Sequence, residues 1–179
     1  VDTLTEARLA ETQVEIDLSK RPVGGNDVNW TIAPASIYST GLYAGAGEKI
    51  TIDLNEDIKG LSIQIGVHST DLTSLIGNGY VERDAKVVTT MPLFEGTNEI
   101  RSPYGGYIWI RRSGKGGVGK TQLLVKGAYA APDYIKGKTE DAEWIEKIKA
   151  TTVPWIELRG ENVAFTVPTK YIRKKISSL

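Results

Sequence analysis

Apolar and polar residues alternate along most of the chain with a period of two. Ile50, Ile52 and Leu54 alternate with Thr51 and Asp53, and Leu61, Ile63, Ile65 and Val67 alternate with Ser62, Gln64 and Gly66. That period sets one face of an extended strand against a core and turns the other outward. It predicts further strands at Val87–Thr90 with Pro92–Phe94 (a broken strand), at Tyr107–Arg111, and in the run after Lys120. Trp155–Arg159 and Val163–Val167, parted by Gly160–Asn162, predict a final hairpin. Turn-rich stretches at Ser39–Gly47 and Ser102–Gly106 punctuate the pattern.

Helical spacing is rarer. Thr139–Ala150 predicts a helix capped by Thr139, with Glu140 and Asp141 in its first turn, Lys147 and Lys149 in its last, and Ala142, Ile145 and Ile148 as its inner edge. After Pro168, Ile172, Ile176 and Leu179 share one face of a predicted terminal helix whose packing partner is expected outside the chain. Thr70–Ile76 predicts a helical turn or two, stopped by Gly77. Leu4, Ala7 and Ala10 suit a short helical face, and Val14, Ile16 and Leu18 alternate like a strand. With the loop Arg21–Asp27, residues 1–29 read as a leader or linker before a domain over 30–179. The predicted fold is mainly β: an antiparallel, jelly-roll-like β-sandwich with one or two short helices.

Gly114, Gly119, Lys120 and Thr121 complete a match to the phosphate-loop pattern GxxxxGK[ST]. Such a loop needs a helix opening after the lysine, so that backbone N–H groups face the phosphates. Here Gly127 and Pro132 leave about two helical turns, and TQLLVK suits a strand. SGKGGVG therefore reads as the tip of a hairpin joining two strands, with a nucleotide-binding protein as the remote alternative.

Composition narrows the chemistry. Lys plus Arg equals Asp plus Glu at 22 each, which gives no basic footprint for nucleic acid. The absence of cysteine excludes disulfides and thiolate metal sites. No apolar run approaches the ~20 residues of a membrane span. Val1 is not a natural start, so the chain reads as a processed or excised piece whose export signal would have been removed. The single histidine, His68, rules out an HExxH zinc pair and reads as structural or exposed before it reads as a base. No cofactor is expected on these residues. Four tryptophans and eight tyrosines would suit a sugar-stacking face, with core packing as the plainer alternative. Trp109 and Tyr107 are the candidate substrate-binding residues, whereas Trp144 borders the helix edge and favours packing. Arg111, Arg112, Lys115 and Lys120 cluster as a solvated surface, with weak anion binding as the sharper option.

Five stretches in this order carry a family resemblance: TGLYAGAGEKITI (Thr40–Ile52), GLSIQIGVHSTDL (Gly60–Leu72), SPYGGYIWI (Ser102–Ile110), VKGAYAAPDYIKGKTEDAEW (Val125–Trp144) and VPWIELRGENVAFTVPT (Val153–Thr169). Over Trp30 to Arg173 the chain resembles the N-terminal part of the enhancin-like zinc metallopeptidase domain, peptidase family M60. The resemblance implies a β-rich subdomain preceding a helical part that carries HExxH and a further glutamate. It also implies a secreted or cell-surface parent acting on glycoproteins such as mucins, with zinc in the missing catalytic half. None of the family's catalytic or zinc-binding residues falls in this chain, which is expected to be inactive alone. Its expected partners are the rest of the peptidase domain and a glycoprotein or mucin substrate. A free-standing carbohydrate-binding module is the alternative.

Overall fold

Strands that are apolar on alternate positions must cover one face, and here two antiparallel sheets cover each other. The structure is a computed structural model and describes residues 3–19, 36–76, 83–113, 119–161 and 163–176. One sheet runs β1 (Thr12–Asp17), β8 (Lys120–Lys126), β3 (Lys49–Leu54), β6 (Gly96–Arg101). The other runs β5 (Thr89–Pro92), β4 (Leu61–Ile65), β7 (Gly106–Arg112), β2 (Ser36–Ala44), β9 (Tyr129–Ala130). The orders 1-8-3-6 and 5-4-7-2 are those of a jelly roll, with β9 added beside β2. Ile50, Ile52, Leu123 and Val125 from the first sheet meet Ile63, Ile65, Ile108 and Ile110 from the second in one buried cluster. Each such side chain contributes about 1.5–3 kcal/mol over its exposed state.

A third, smaller sheet follows: β10 (Tyr134–Ile135), β11 (Trp155–Arg159) and β12 (Ala164–Pro168), with β10 parallel and β12 antiparallel to β11. Helix α1 (Asp141–Ala150) makes the crossover between the parallel strands, and α2 (Thr169–Ile176) follows β12. Arg173 on α2 donates from Nε to the Ile148 carbonyl at 3.1 Å and from Nη2 to that of Thr151, satisfying the end of α1.

The mainly β, antiparallel fold agrees with the pattern of alternation, and the final hairpin forms as predicted. Four local expectations are corrected. The strand after Lys120 exists, but it does not pair back onto β7: β7 lies in one sheet and β8 in the other. In a jelly roll successive strands change sheets, and among the described strands of the sandwich only β4 and β5 are consecutive and paired. Residues 12–17 are no leader. They pair with β8 from Thr12↔Val125 to Asp17↔Lys120 and bury Val14 and Ile16. Residues 3–11 form no helix; Leu9 instead exchanges backbone hydrogen bonds with Gly127 and Ala128. Thr139 does not cap α1. Its hydroxyl accepts from the Ile135 N–H at 2.9 Å, Glu140 takes the cap position, and Ala142 is exposed while Ile148 is buried. The loop Arg21–Asp27, Trp30, Gly77, residues 114–118 of the glycine-rich stretch and Leu179 lie outside the described residues.

Because β1 closes the first sheet, Ile16→Ala is expected to cost about 2–4 kcal/mol in urea denaturation. Deletion of residues 1–18 should abolish the cooperative transition. A deletion variant as stable as the full chain would return this segment to a leader.

Candidate functional site

Strand β7 has two buried faces. Ile108 and Ile110 point into the sandwich, so Tyr107 and Trp109 point out of it, against the small third sheet. On β11 the same alternation aims Trp155, Glu157 and Arg159 back at them, and Asp133 arrives from the link between β9 and β10. The result is a joint of aromatic rings and carboxylates between the sandwich and the C-terminal unit.

The second strand shapes this joint through a bulge. Its register against β7 shifts between Ser39 and Leu42. The Thr40 hydroxyl donates to the Ile108 carbonyl at 2.5 Å and accepts from the Leu42 N–H at 3.2 Å. Gly41, at φ +74°, then aims its N–H at the Tyr107 hydroxyl oxygen, 3.1 Å away. A side chain here would be strained by that φ, which glycine adopts freely.

Tyr107 O–H donates to Asp133 Oδ2 at 2.5 Å, and its oxygen stands 3.3 Å from Glu157 Oε2. Trp109 Nε1–H donates to Glu157 Oε1 at 2.7 Å. The Glu157 N–H donates to Asp133 Oδ1 at 2.8 Å, and Arg159 Nη2 to Asp133 Oδ2 at 3.1 Å. Burial drives the Asp133 carboxyl up to about 6, against the opposing pull of Tyr107, the Glu157 N–H and Arg159. Burial, then the Asp133 and Glu157 charges, raises Tyr107 as well, which keeps its hydroxyl a donor.

An N-terminal strap closes one side. Glu6 accepts from the Thr151 hydroxyl at 2.6 Å, from the Thr152 N–H at 2.6 Å and from the Thr152 hydroxyl. Partial burial opposes ionisation of Glu6, but these hydrogen bonds outweigh it and hold the carboxyl down to about 2. Arg8 reaches the Gly127 and Lys49 carbonyls at 2.8 and 2.7 Å.

The joint thus brings Tyr107 and Trp109 together, at 0% and 5% exposure, with their rings 5.0 Å apart. Neither offers an open face to a sugar. Trp144 is half-buried and donates to the Pro132 carbonyl at 2.7 Å; Trp155 is half-buried and meets exposed His68 edge-on at 5.4 Å. Lys120 is paired with Glu15 across the sheet at 2.7 Å, and the Thr121 hydroxyl with Glu56 at 2.7 Å, so a phosphate-loop arrangement is absent from these residues. Arg111 donates to Gln64 at 3.2 Å. Zinc does not fit here: the joint's carboxylates are held by Tyr107, Trp109 and Arg159. Among the described residues no group of three or more His, Cys, Asp or Glu side chains stands where it would hold a metal ion. Sequence reasoning missed Asp133, Glu157 and Gly41. The signal for Glu157 is its place in WIELR, a carboxylate that shares a strand face with Trp155 and Arg159 in a strand otherwise suited to burial.

If Trp109 anchors the joint, Trp109→Phe is expected to cost about 1–3 kcal/mol, because Glu157 loses its best donor while the packing remains. Trp109→Ala should cost about 3–5 kcal/mol. Urea denaturation of both variants checks the order; equal stability of wild type and Trp109→Phe would remove the hydrogen bond from the account.

Comparison with known proteins agrees with this division of the chain. The model for the N-terminal domain of M60-like peptidases matches residues 9–123, and that for peptidase M60, enhancin and enhancin-like, matches residues 127–178. TRPM8 channel-associated factor 1 of Homo sapiens is 35% identical over 137 residues, covering 75% of this chain and 14% of that protein. The Bos taurus protein of that name is 34% identical over the same span. The chain therefore spans about one seventh of the length of these curated relatives, their covered share being 14%. Among solved structures, IMPa from Pseudomonas aeruginosa in complex with an O-glycopeptide superposes with a TM-score of 0.73 at 17% identity, covering 98% of this chain and 19% of that one. The ZmpB metallopeptidase from Clostridium perfringens gives 0.68 at 17% identity, covering 93% and 36%. At such identities these structures share the fold. The first family model takes in the chain from Leu9 through β1 to Leu123 in β8, and on that match the chain belongs to the M60-like peptidases, residues 9–123 being their N-terminal domain.

Proposed function

We propose that this chain is the non-catalytic β-sandwich portion of a secreted or cell-surface zinc metallopeptidase acting on glycoproteins such as mucins. Its task is to carry the peptidase half and hold it in place. The observation that supports this most directly is the buried joint: the outer face of β7 is closed by the segment that matches the peptidase M60 model, through Trp109–Glu157 and Tyr107–Asp133. In this reading Tyr107 and Trp109 position the peptidase half and act on substrate only through it.

The C-terminal unit also presents a cleft of ≈ 660 Å³ between α1, β11 and β12, lined by Tyr134, Trp144, Ile145, Leu158, Phe165 and Ile176. Val163 and Phe165 beside it are 55% and 63% exposed. The remainder of the parent's peptidase domain would cover this face, and zinc would be held within that missing half. Glycoprotein as the substrate class draws on the solved relatives named as complexes with T-antigen and with an O-glycopeptide. Among the described residues no helix is long and apolar enough to cross a membrane.

A second reading rests on the greater identity to the vertebrate relatives: an association module for a membrane channel, as the name TRPM8 channel-associated factor states of those proteins. Parent protein assayed on an O-glycosylated mucin separates the two, since a channel-associated module need not cleave. The isolated chain should neither cleave mucin nor bind zinc in stoichiometric amount by atomic absorption. One equivalent of zinc, or cleavage by the isolated chain, would overturn the non-catalytic assignment. Glycan-array binding by the chain alone would turn it into a carbohydrate-binding module.

A further inference from the structure

The joint sets one cation against two carboxylates. The Asp133 and Glu157 side chains are 4% and 3% exposed, and Arg159, at 26%, is the cation paired with them. The other groups that face them carry no charge: Tyr107 and Trp109 from β7, the Gly41 N–H from β2, and Thr166 from β12.

A census of hydrogen bonds leaves one carboxylate oxygen without a full donor and the Arg159 Nε–H without an acceptor. Glu157 Oε1 receives the Trp109 N–H at 2.7 Å, with the Thr166 hydroxyl at 3.5 Å. Asp133 Oδ1 receives the Glu157 N–H at 2.8 Å, and Asp133 Oδ2 receives Arg159 at 3.1 Å. The Tyr107 oxygen lies 2.5 Å from Asp133 Oδ2 and 3.3 Å from Glu157 Oε2, with a single hydrogen to give. One of its lone pairs already accepts from Gly41 at 3.1 Å. Beyond Tyr107, Glu157 Oε2 has Arg159 Nε at 3.9 Å, past hydrogen-bond reach. One carboxylate oxygen thus lacks a hydrogen and one buried negative charge lacks a counter-charge. A single proton corrects both.

We propose that the Asp133 carboxyl, buried beside Glu157 with Arg159 as their shared cation, takes up one proton next to the Tyr107 hydroxyl, and that this proton tightens the joint between the sandwich and the peptidase-matching unit. The rise of the Asp133 carboxyl from 3.8 to about 6, caused by burial, has the matching sign. An acid whose folded value lies above its unfolded value binds protons more strongly when folded. Its contribution is complete below the unfolded value of 3.8 and is lost as pH climbs through about 6. The Glu6 strap has the opposite sign: held down to about 2 from 4.5, it contributes above 4.5 and fails only as pH falls toward 2. Between those limits the pH response of the joint belongs to Asp133.

The test is urea denaturation of the full chain at constant ionic strength between about pH 5 and about pH 7.5. A His68→Gln background serves every arm, because histidine also changes charge in that range. The expected result is a midpoint that falls as pH rises, with a slope equivalent to about one proton. Asp133→Asn, whose amide supplies the missing hydrogen without a charge, should flatten the slope. Tyr107→Phe, which removes a hydrogen that favours the ionised Asp133, should instead move the fall to higher pH. A flat or rising wild-type profile, or a slope that survives in Asp133→Asn, overturns the proposal. Should the variants not fold, carboxyl carbon NMR of the background chain decides: the Asp133 carboxyl titrating between about pH 5 and 7 supports it, and its titrating below about 5 overturns it.

Discussion

The hydrogen bond from the Trp109 indole to Glu157, at 2.7 Å, lies on the outer face of a strand whose inner face is already core. Strand β7 has no solvent side from Gly106 to Ile110. That constraint organises the chain. Ile108 and Ile110 require an opposite sheet, which β3 and β8 supply; Tyr107 and Trp109 require a second covering layer, which β11 supplies. A covering layer over Tyr and Trp must also receive their O–H and N–H donors, since a buried donor without an acceptor costs about 1–3 kcal/mol. Carboxylates at Asp133 and Glu157 meet that need. They in turn draw Arg159 close, while Gly41 turns its N–H inward to the Tyr107 hydroxyl oxygen. The polar content of the joint follows from the choice of aromatic residues on one strand.

The strands themselves were legible because period two is a local property. WIELR and VAFTV, the run after Lys120 and the helix around Ile148 all follow from spacing and punctuation. Partnership was not legible. Alternation states which residues share a face and says nothing of which strand lies alongside, so adjacent β7 and β8 read as a hairpin although a jelly roll sends them to different sheets. The same limit hid the role of residues 12–17. Val14 and Ile16 alternate plainly, but their partner strand begins more than a hundred residues later, at Lys120, and the loop that follows them looked like a boundary. Alternation alone allows Trp109 either an open face or a packed one, and the arrival of Glu157 from β11 distinguishes them.

The phosphate-loop match illustrates why residue type at a spacing is weaker than backbone context. Lys120 and Thr121 satisfy the pattern, yet both sit in a strand, where neighbouring N–H groups point to opposite sides and cannot converge on an anion. Their side chains have acquired ordinary cross-sheet duties with Glu15 and Glu56. The lysine pair is largely exposed and contributes little. Thr121, which is buried, is the more consequential of the two.

The two family models meet near residue 125, but the polypeptide has no physical boundary there. A boundary would be an exposed linker crossed by few contacts. Here Val125 and Ala128 are core, Tyr129 and Ala130 extend the larger sheet beside β2, and Ala131 donates to the Gly41 carbonyl at 2.9 Å. Residues from the extreme N-terminal side return to lace the other unit: Glu6 binds Thr151 and Thr152, and Thr5 donates to the Thr152 hydroxyl at 2.9 Å. The small third sheet could not bury Glu157 or Ile156 by itself, since three short strands and two short helices enclose too little. Sandwich and C-terminal unit therefore share one network of buried groups, and a change at Tyr107 or Asp133 is felt on both sides of a junction that sequence families draw as a division.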